Sequence, residues 1–143
     1  MANKLSFDFP MYEKLKKKLE ALGGDVLDSA VDKAIADSHE YVTAQLEQAI
    51  ASHRKTGKTA SSLDRVPNVV KTGTEYSADV GFHITEGGLP SIFLMYGTKV
   101  HGQPHIQPDK ALYNAIYGNA TKKRIQEIQT SAFFETIGKV MKE

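Results

Sequence analysis

The chain has 143 residues, 41% of them hydrophobic and 24% charged, which are the proportions of an ordinary folded protein and not of a disordered tail. Eighteen basic against seventeen acidic residues leave a formal net charge of +1, without the broad positive field of a protein that coats nucleic acid. There is no cysteine, which excludes a disulfide framework, a thiolate zinc site and a cysteine nucleophile.

The segment from Met1 to Asp8 lacks the uninterrupted apolar core of a secretory signal, and no stretch approaches the ~18 apolar residues of a membrane span. The expectation is a protein that is cytosolic when made and has no membrane partner. From Pro10 to Leu22, apolar Met11, Leu15, Leu19 and Leu22 fall on one helical face, and Gly23-Gly24 ends the helix. Lys14, Lys16, Lys17 and Lys18 mostly take the other face, as a solvated surface or, on the sharper reading, a phosphate patch. Asp25 is a candidate N-cap for a long helix over 25–53, with Asp28 in its first turn. Val26, Ala30, Ala34, Ile35, Val42, Leu46, Ala49 and Ile50 keep a helical period there, predicting ~26 residues and ~40 Å.

The polar segment from His53 to Ser62 breaks that period. Its Thr56-Gly57-Lys58-Thr59 looks like the end of a phosphate-binding P-loop, but Ser52 stands where the first glycine is needed, and a helix precedes it where a strand is required. From Leu63 to Ile84 the pattern turns to β: Val66, Val69 and Val70 lead into Thr72-Gly73-Thr74. Tyr76, Ala78, Val80, Phe82 and Ile84 then alternate with polar positions and glycine. This predicts a hairpin with one buried face, an edge or interrupted first strand at Pro67, and a solvent-facing His83. After the Glu86–Pro90 loop, the apolar run from Ile92 to Tyr96 fits a buried strand or a short helix, and periodicity does not choose between them.

Lys99 to Pro108 is the least regular stretch. His101, His105 and Asp109 are four apart and would align as metal ligands on a helix, but Gly102, Pro104 and Pro108 oppose that helix. The preferred reading is a rigid, proline-set contact loop. Asp109 then caps a helix carrying Ala111, Leu112, Ala115 and Ile116 and ending at Gly118. A last helix runs from about Thr121 to Met141 with Ile125, Ile128, Ala132, Ile137, Val140 and Met141 as its stripe. Lys122-Lys123-Arg124 in its first turn oppose the helix dipole, as exposed charges or as a site for an acidic partner or phosphate.

Three motifs in order then carry a resemblance. They are Thr56-Gly57 followed by Ser62-Leu63, the Tyr96-Gly97-Thr98 step, and Pro104-His105-Ile106-Gln107-Pro108 leading to Ala111-Leu112. Between about residues 26 and 118 the chain resembles the neck, head–tail joining or tail-completion proteins of long non-contractile-tailed bacteriophages. The family's usual acidic residue before the aromatic-Gly-Thr step is Met95 here, and its basic and aromatic loop residues appear as Gln103, His105 and Gln107. The resemblance implies a non-enzymatic subunit of the head–tail junction, made in the host cytoplasm. It also implies a homo-oligomeric ring in contact with other junction and tail proteins.

The expected fold is a single α+β domain over 1–143, a small antiparallel sheet packed against long N-terminal and C-terminal helices. Its parts are a helix in 1–24, the long helix in 25–53, a β-hairpin and contact loop in 63–108, and C-terminal helices in 109–143. The expected partner-contact residues are Tyr96, Gly97, Thr98, Lys99, His101, Pro104, His105 and Pro108. No Ser/His/Asp order, dinucleotide glycine motif or paired-carboxylate signature stands out, so no catalytic residue, cofactor, metal or specific nucleic acid is expected. Two alternatives have their own requirements. A small nucleic-acid-binding protein needs both basic clusters on one face, and a metal-dependent enzyme needs His101, His105 and Asp109 to converge.

Overall fold

The computed structural model describes residues 3–6, 24–53, 57–73 and 75–142. The helix expected over Pro10–Leu22, its lysine cluster and Thr56 lie outside the described residues. Chain order runs β1 (Asn3–Ser6), α1 (Gly24–Ile50), a 3-10 turn (Ala51–His53), the short α2 (Lys58–Ser61), β2 (Val70–Thr72) and β3 (Glu75–Val80). A second 3-10 turn (Ile84–Glu86), α3 (Leu89–Tyr96), β4 (Thr98–Val100), β5 (Gln103–Ile106), α4 (Lys110–Tyr117) and α5 (Asn119–Lys142) follow.

Helix α1 is the spine. Its 27 residues have no proline and no glycine after Gly24, so nothing interrupts the hydrogen-bond ladder over ~40 Å. Ala30, Val31, Ala34, Ile35, Val42, Leu46 and Ile50 are buried along one face. Polar Ser38 and His39 continue that face, also with no exposure. Ser38 donates to the Ala34 carbonyl at 2.8 Å. The Thr43 hydroxyl lies 3.3 Å from His39 Nδ1 and 3.4 Å from the Asp64 carbonyl oxygen. His39 Nε2 makes no hydrogen bond of ordinary geometry. Burial holds the imidazole pKa below the usual histidine value, while the Asp64 carboxylate and the Asp79 backbone pull it upward.

The sheet has the order β1-β3-β2, antiparallel throughout, with β3 in the centre. In β3, Tyr76, Ala78 and Val80 are buried and the alternate residues are less so, which is the period-2 pattern of a one-faced sheet. Strand β2 is an exposed edge, as Pro67 suggested, and Val70 pairs with Ser77. Strand β1, in which Leu5 pairs with Ala78, had no place in the sequence reading.

Two apolar clusters are strung along α1. Ala30, Val31 and Ile35 meet Tyr76, Ala78, Phe133 and Ile137 toward its N-terminal end. Val42, Leu46 and Ile50 meet Leu63, Val80, Phe82, Met95 and Leu112 toward the other. The α+β class and the packing of a small sheet by long N- and C-terminal helices are therefore as expected. One open alternative is decided and one expectation changes. Of the buried strand and the short helix left open for Ile92–Tyr96, the helix is found, because α3 must bury only Ser91 and Met95 and can leave its other face in solvent. The contact loop is not irregular, since residues 98–106 form the β4–β5 hairpin.

Candidate functional site

The expected contact residues gather where α3 gives way to the β4–β5 hairpin. Proline in the first turn suits the start of α3, because no backbone donor is needed there. Leu89, Phe93 and Tyr96, at i, i+4 and i+7, form an apolar stripe on its outer face, 46%, 44% and 56% exposed. Tyr96 meets the edge of Tyr113 with ring centroids 5.8 Å apart, and Tyr113 lies 5.0 Å from Tyr117. Beneath them a cavity of about 210 Å³ is lined by Phe82, Ile84, Ile92, Met95, Tyr96 and Tyr117, among others.

Gly97 ends the helix by donating its N–H to the Phe93 carbonyl at 2.8 Å. Its φ of 74° and ψ of 171° are open in practice only to glycine. A Cβ there would stand 2.6 Å from the Ile106 carbonyl oxygen and 2.9 Å from Pro108 Cδ, so the hairpin returns directly over this glycine. The Asp109 N–H donates to the Leu94 carbonyl at 2.7 Å and ties the hairpin exit to α3.

The hairpin pairs Thr98 with Ile106, Lys99 with Pro104 and Val100 with Gln103, with an irregularity after Thr98. His101 (φ 52°) and Gly102 (φ 78°) make a two-residue turn with both residues left-handed, the backbone that matches strand twist in tight hairpins. Pro104 is tolerated because a two-stranded ribbon leaves an edge on each strand. Lys99, Val100, His101, Pro104, His105 and Pro108 are all exposed. Thr98 is half-buried, and its Oγ1 is buried without a hydrogen-bond partner at the base.

Asp109 serves structure. It accepts the Leu112 N–H at 3.1 Å as the N-cap of α4, and its other carboxylate oxygen pairs with His53. The imidazole of His53 is the larger cause that holds its pKa below the usual carboxylate range, ahead of the backbone donors. Among the described residues no three His, Cys, Asp or Glu side chains are arranged to hold a metal ion, so His101, His105 and Asp109 are not brought together as ligands. His83 is exposed, 3.8 Å from Asp64. Lys122, Lys123 and Arg124 are exposed at the start of α5, where Arg124 pairs with Glu127 at 3.3 Å. No protein-family model, curated protein or solved structure matches the chain.

Sequence reasoning missed Leu89, Phe93 and Tyr113 as parts of this surface. Their signal was the four- and three-residue spacing of Leu89, Phe93 and Tyr96, which has meaning only once the run is known to be helical.

Proposed function

We propose that the protein is a virion assembly subunit of the head–tail junction of a long non-contractile-tailed bacteriophage, a neck or tail-completion component that acts by protein–protein contact and not by catalysis. The observation that carries this reading is the exposed β4–β5 hairpin set rigidly on α3 at the Tyr96-Gly97-Thr98 step. A hairpin clamped at its base and open along both edges fixes the direction of a contact without contributing a core, and a subunit that sets the angle to its neighbours in a ring needs that property. The tyrosines and the α3 stripe beside it supply the aromatic and apolar area that contact surfaces favour. The order of motifs resembling the phage neck proteins points the same way. On this reading the subunit is made in the host cytoplasm and ends at the head–tail junction, in contact with copies of itself and with other junction and tail proteins.

The test is complementation of a phage lacking this gene with a Pro104→Ala/Pro108→Ala variant. Helical circular dichroism and cooperative melting should persist, because both prolines are exposed, while heads and tails accumulate separately. Normal infectious particles would remove the hairpin from the contact, and an unfolded variant would make it part of the core.

A further inference from the structure

We propose that copies of this protein join head to tail, the β4–β5 hairpin of one copy lying on the acidic outer face of α1 of the next. The inference rests on the reading of the protein as a ring-forming subunit, and it names the two surfaces of the ring contact.

The near-zero net charge conceals a segregation. Helix α1 holds six carboxylates, on Asp25, Asp28, Asp32, Asp37, Glu40 and Glu47, against the single cation Lys33. Residues 87–126 hold five cations, Lys99, Lys110, Lys122, Lys123 and Arg124, against Asp109 alone; Lys99 is the one on the hairpin, and Arg124 is met by Glu127 just beyond. Within that stretch, Gly87 to Pro108, which covers α3 and the hairpin, contains no carboxylate at all.

The charges also have the right placement. Asp25, Asp32, Glu40 and Glu47 are exposed and stand seven, eight and seven residues apart, so they form one stripe along a solvent-facing flank of α1, beside its buried residues. The stripe is about 33 Å long at the helical rise. Asp28 is engaged by Lys71 and Tyr76, Asp37 by Lys33, and Glu47 by Arg65. Asp25, Asp32 and Glu40 have no ion pair among the described residues. Burial and the neighbouring Asp28 carboxylate hold the Asp32 pKa above the ordinary carboxylate value although Lys71 offsets part of the rise, so a further cation from outside would relieve it. The hairpin offers one such cation, Lys99 on β4, on an exposed, carboxylate-free ribbon, with the His105 imidazole on β5 as a polar contact and Val100, 46% exposed, as an apolar one.

Since the two surfaces share no residue, the joint is heterologous. It propagates from copy to copy until the rotation closes a ring. Rim charges of this kind set register and encounter rate, and the contact weakens with salt.

The experiment is sedimentation velocity on the purified full chain at low ionic strength. It compares wild type, an arm variant (Lys99→Glu/His105→Glu), a helix variant (Asp32→Lys/Glu40→Lys) and the fourfold combination, with melting curves to verify folding. Wild type should self-associate and dissociate as salt is added. Each pair of reversals alone should weaken association by about tenfold or more, and the fourfold chain should recover most of that loss. Wild type that stays monomeric, single reversals that change nothing, or a fourfold chain that fails to recover would each overturn the proposal. If the arm variant blocks particle assembly although wild type is monomeric, the hairpin meets a different junction protein: self-docking falls and the junction reading stands. If association follows the expected pattern but infectious particles form without the gene, the junction reading falls and the self-contact stands.

Discussion

Replacing Gly97 with alanine tests the close junction between α3 and the hairpin. Two costs combine at this position. A non-glycine residue at φ 74° and ψ 171° is strained by about 1–3 kcal/mol. The added methyl would also sit 2.6 Å from the Ile106 carbonyl oxygen and 2.9 Å from the Pro108 ring, an overpacking of about 1–3 kcal/mol if nothing moves. The hairpin is exposed and can swing away, so the second cost is replaced by loss of the base geometry, including the Asp109-to-Leu94 hydrogen bond. The expected destabilisation is about 2–4 kcal/mol in urea denaturation, with a fall in melting temperature of roughly 10 °C for a chain of this size. Gly102→Ala is the control. Its φ is 78° but no atom lies within 4 Å of the added Cβ, so only a left-handed backbone cost of about 1–2 kcal/mol applies. If Gly97→Ala melts no lower than Gly102→Ala, the close return of the hairpin over Gly97 is wrong and the rigid-arm reasoning fails with it.

The buried His39 should make the fold acid-sensitive. Its folded-state pKa lies below the unfolded value near 6.5, so its contribution is intact above that pH. It declines on acidification, by at most about 1.4 kcal/mol per pH unit, until the folded group also protonates. Denaturant midpoints measured from pH 7.5 downward should show this slope in wild type and lose it in His39→Gln, and equal slopes would assign the acid sensitivity elsewhere. Asp109→Ala should cost about 1–2 kcal/mol through loss of the α4 cap. Asp109→Asn should retain much of the cap but lose the His53 pair. Because the Asp109 pKa is depressed, chiefly by its hydrogen bond with His53, the contribution of the ionised carboxylate is present above the ordinary carboxylate range and vanishes as pH falls through the folded value. An Asn variant whose stability deficit does not shrink in acid would contradict the pairing.

The parts of the fold that were readable in the sequence are those where one periodicity persists. The α1 stripe of Ala30, Ala34, Ile35, Val42 and Leu46, the alternation from Tyr76 to Phe82 and the Asp109 cap ahead of Leu112 were all legible. Strand β1 was not, since four residues carry no period and its partner β3 lies more than seventy residues away. The run that became α3 was apolar on every side, so pattern alone could not tell helix from strand. The β4–β5 hairpin was masked by Pro104, which is excluded from central strands but permitted on an open ribbon. Polar Ser38 and His39 interrupted the apolar stripe of α1 yet are buried, because Ala34 and Thr43 supply local partners. The pairing of Asp109 with His53 spans 56 positions and leaves no local trace in the sequence.

Immunogold electron microscopy of intact phage particles, with antibody raised against the purified chain, locates the protein in the virion. Binding confined to the junction between head and tail, and absent from particles that lack the gene product, is the result expected of a neck or tail-completion subunit. Particles that carry none of this protein, or label spread over the capsid or along the tail, would contradict the account.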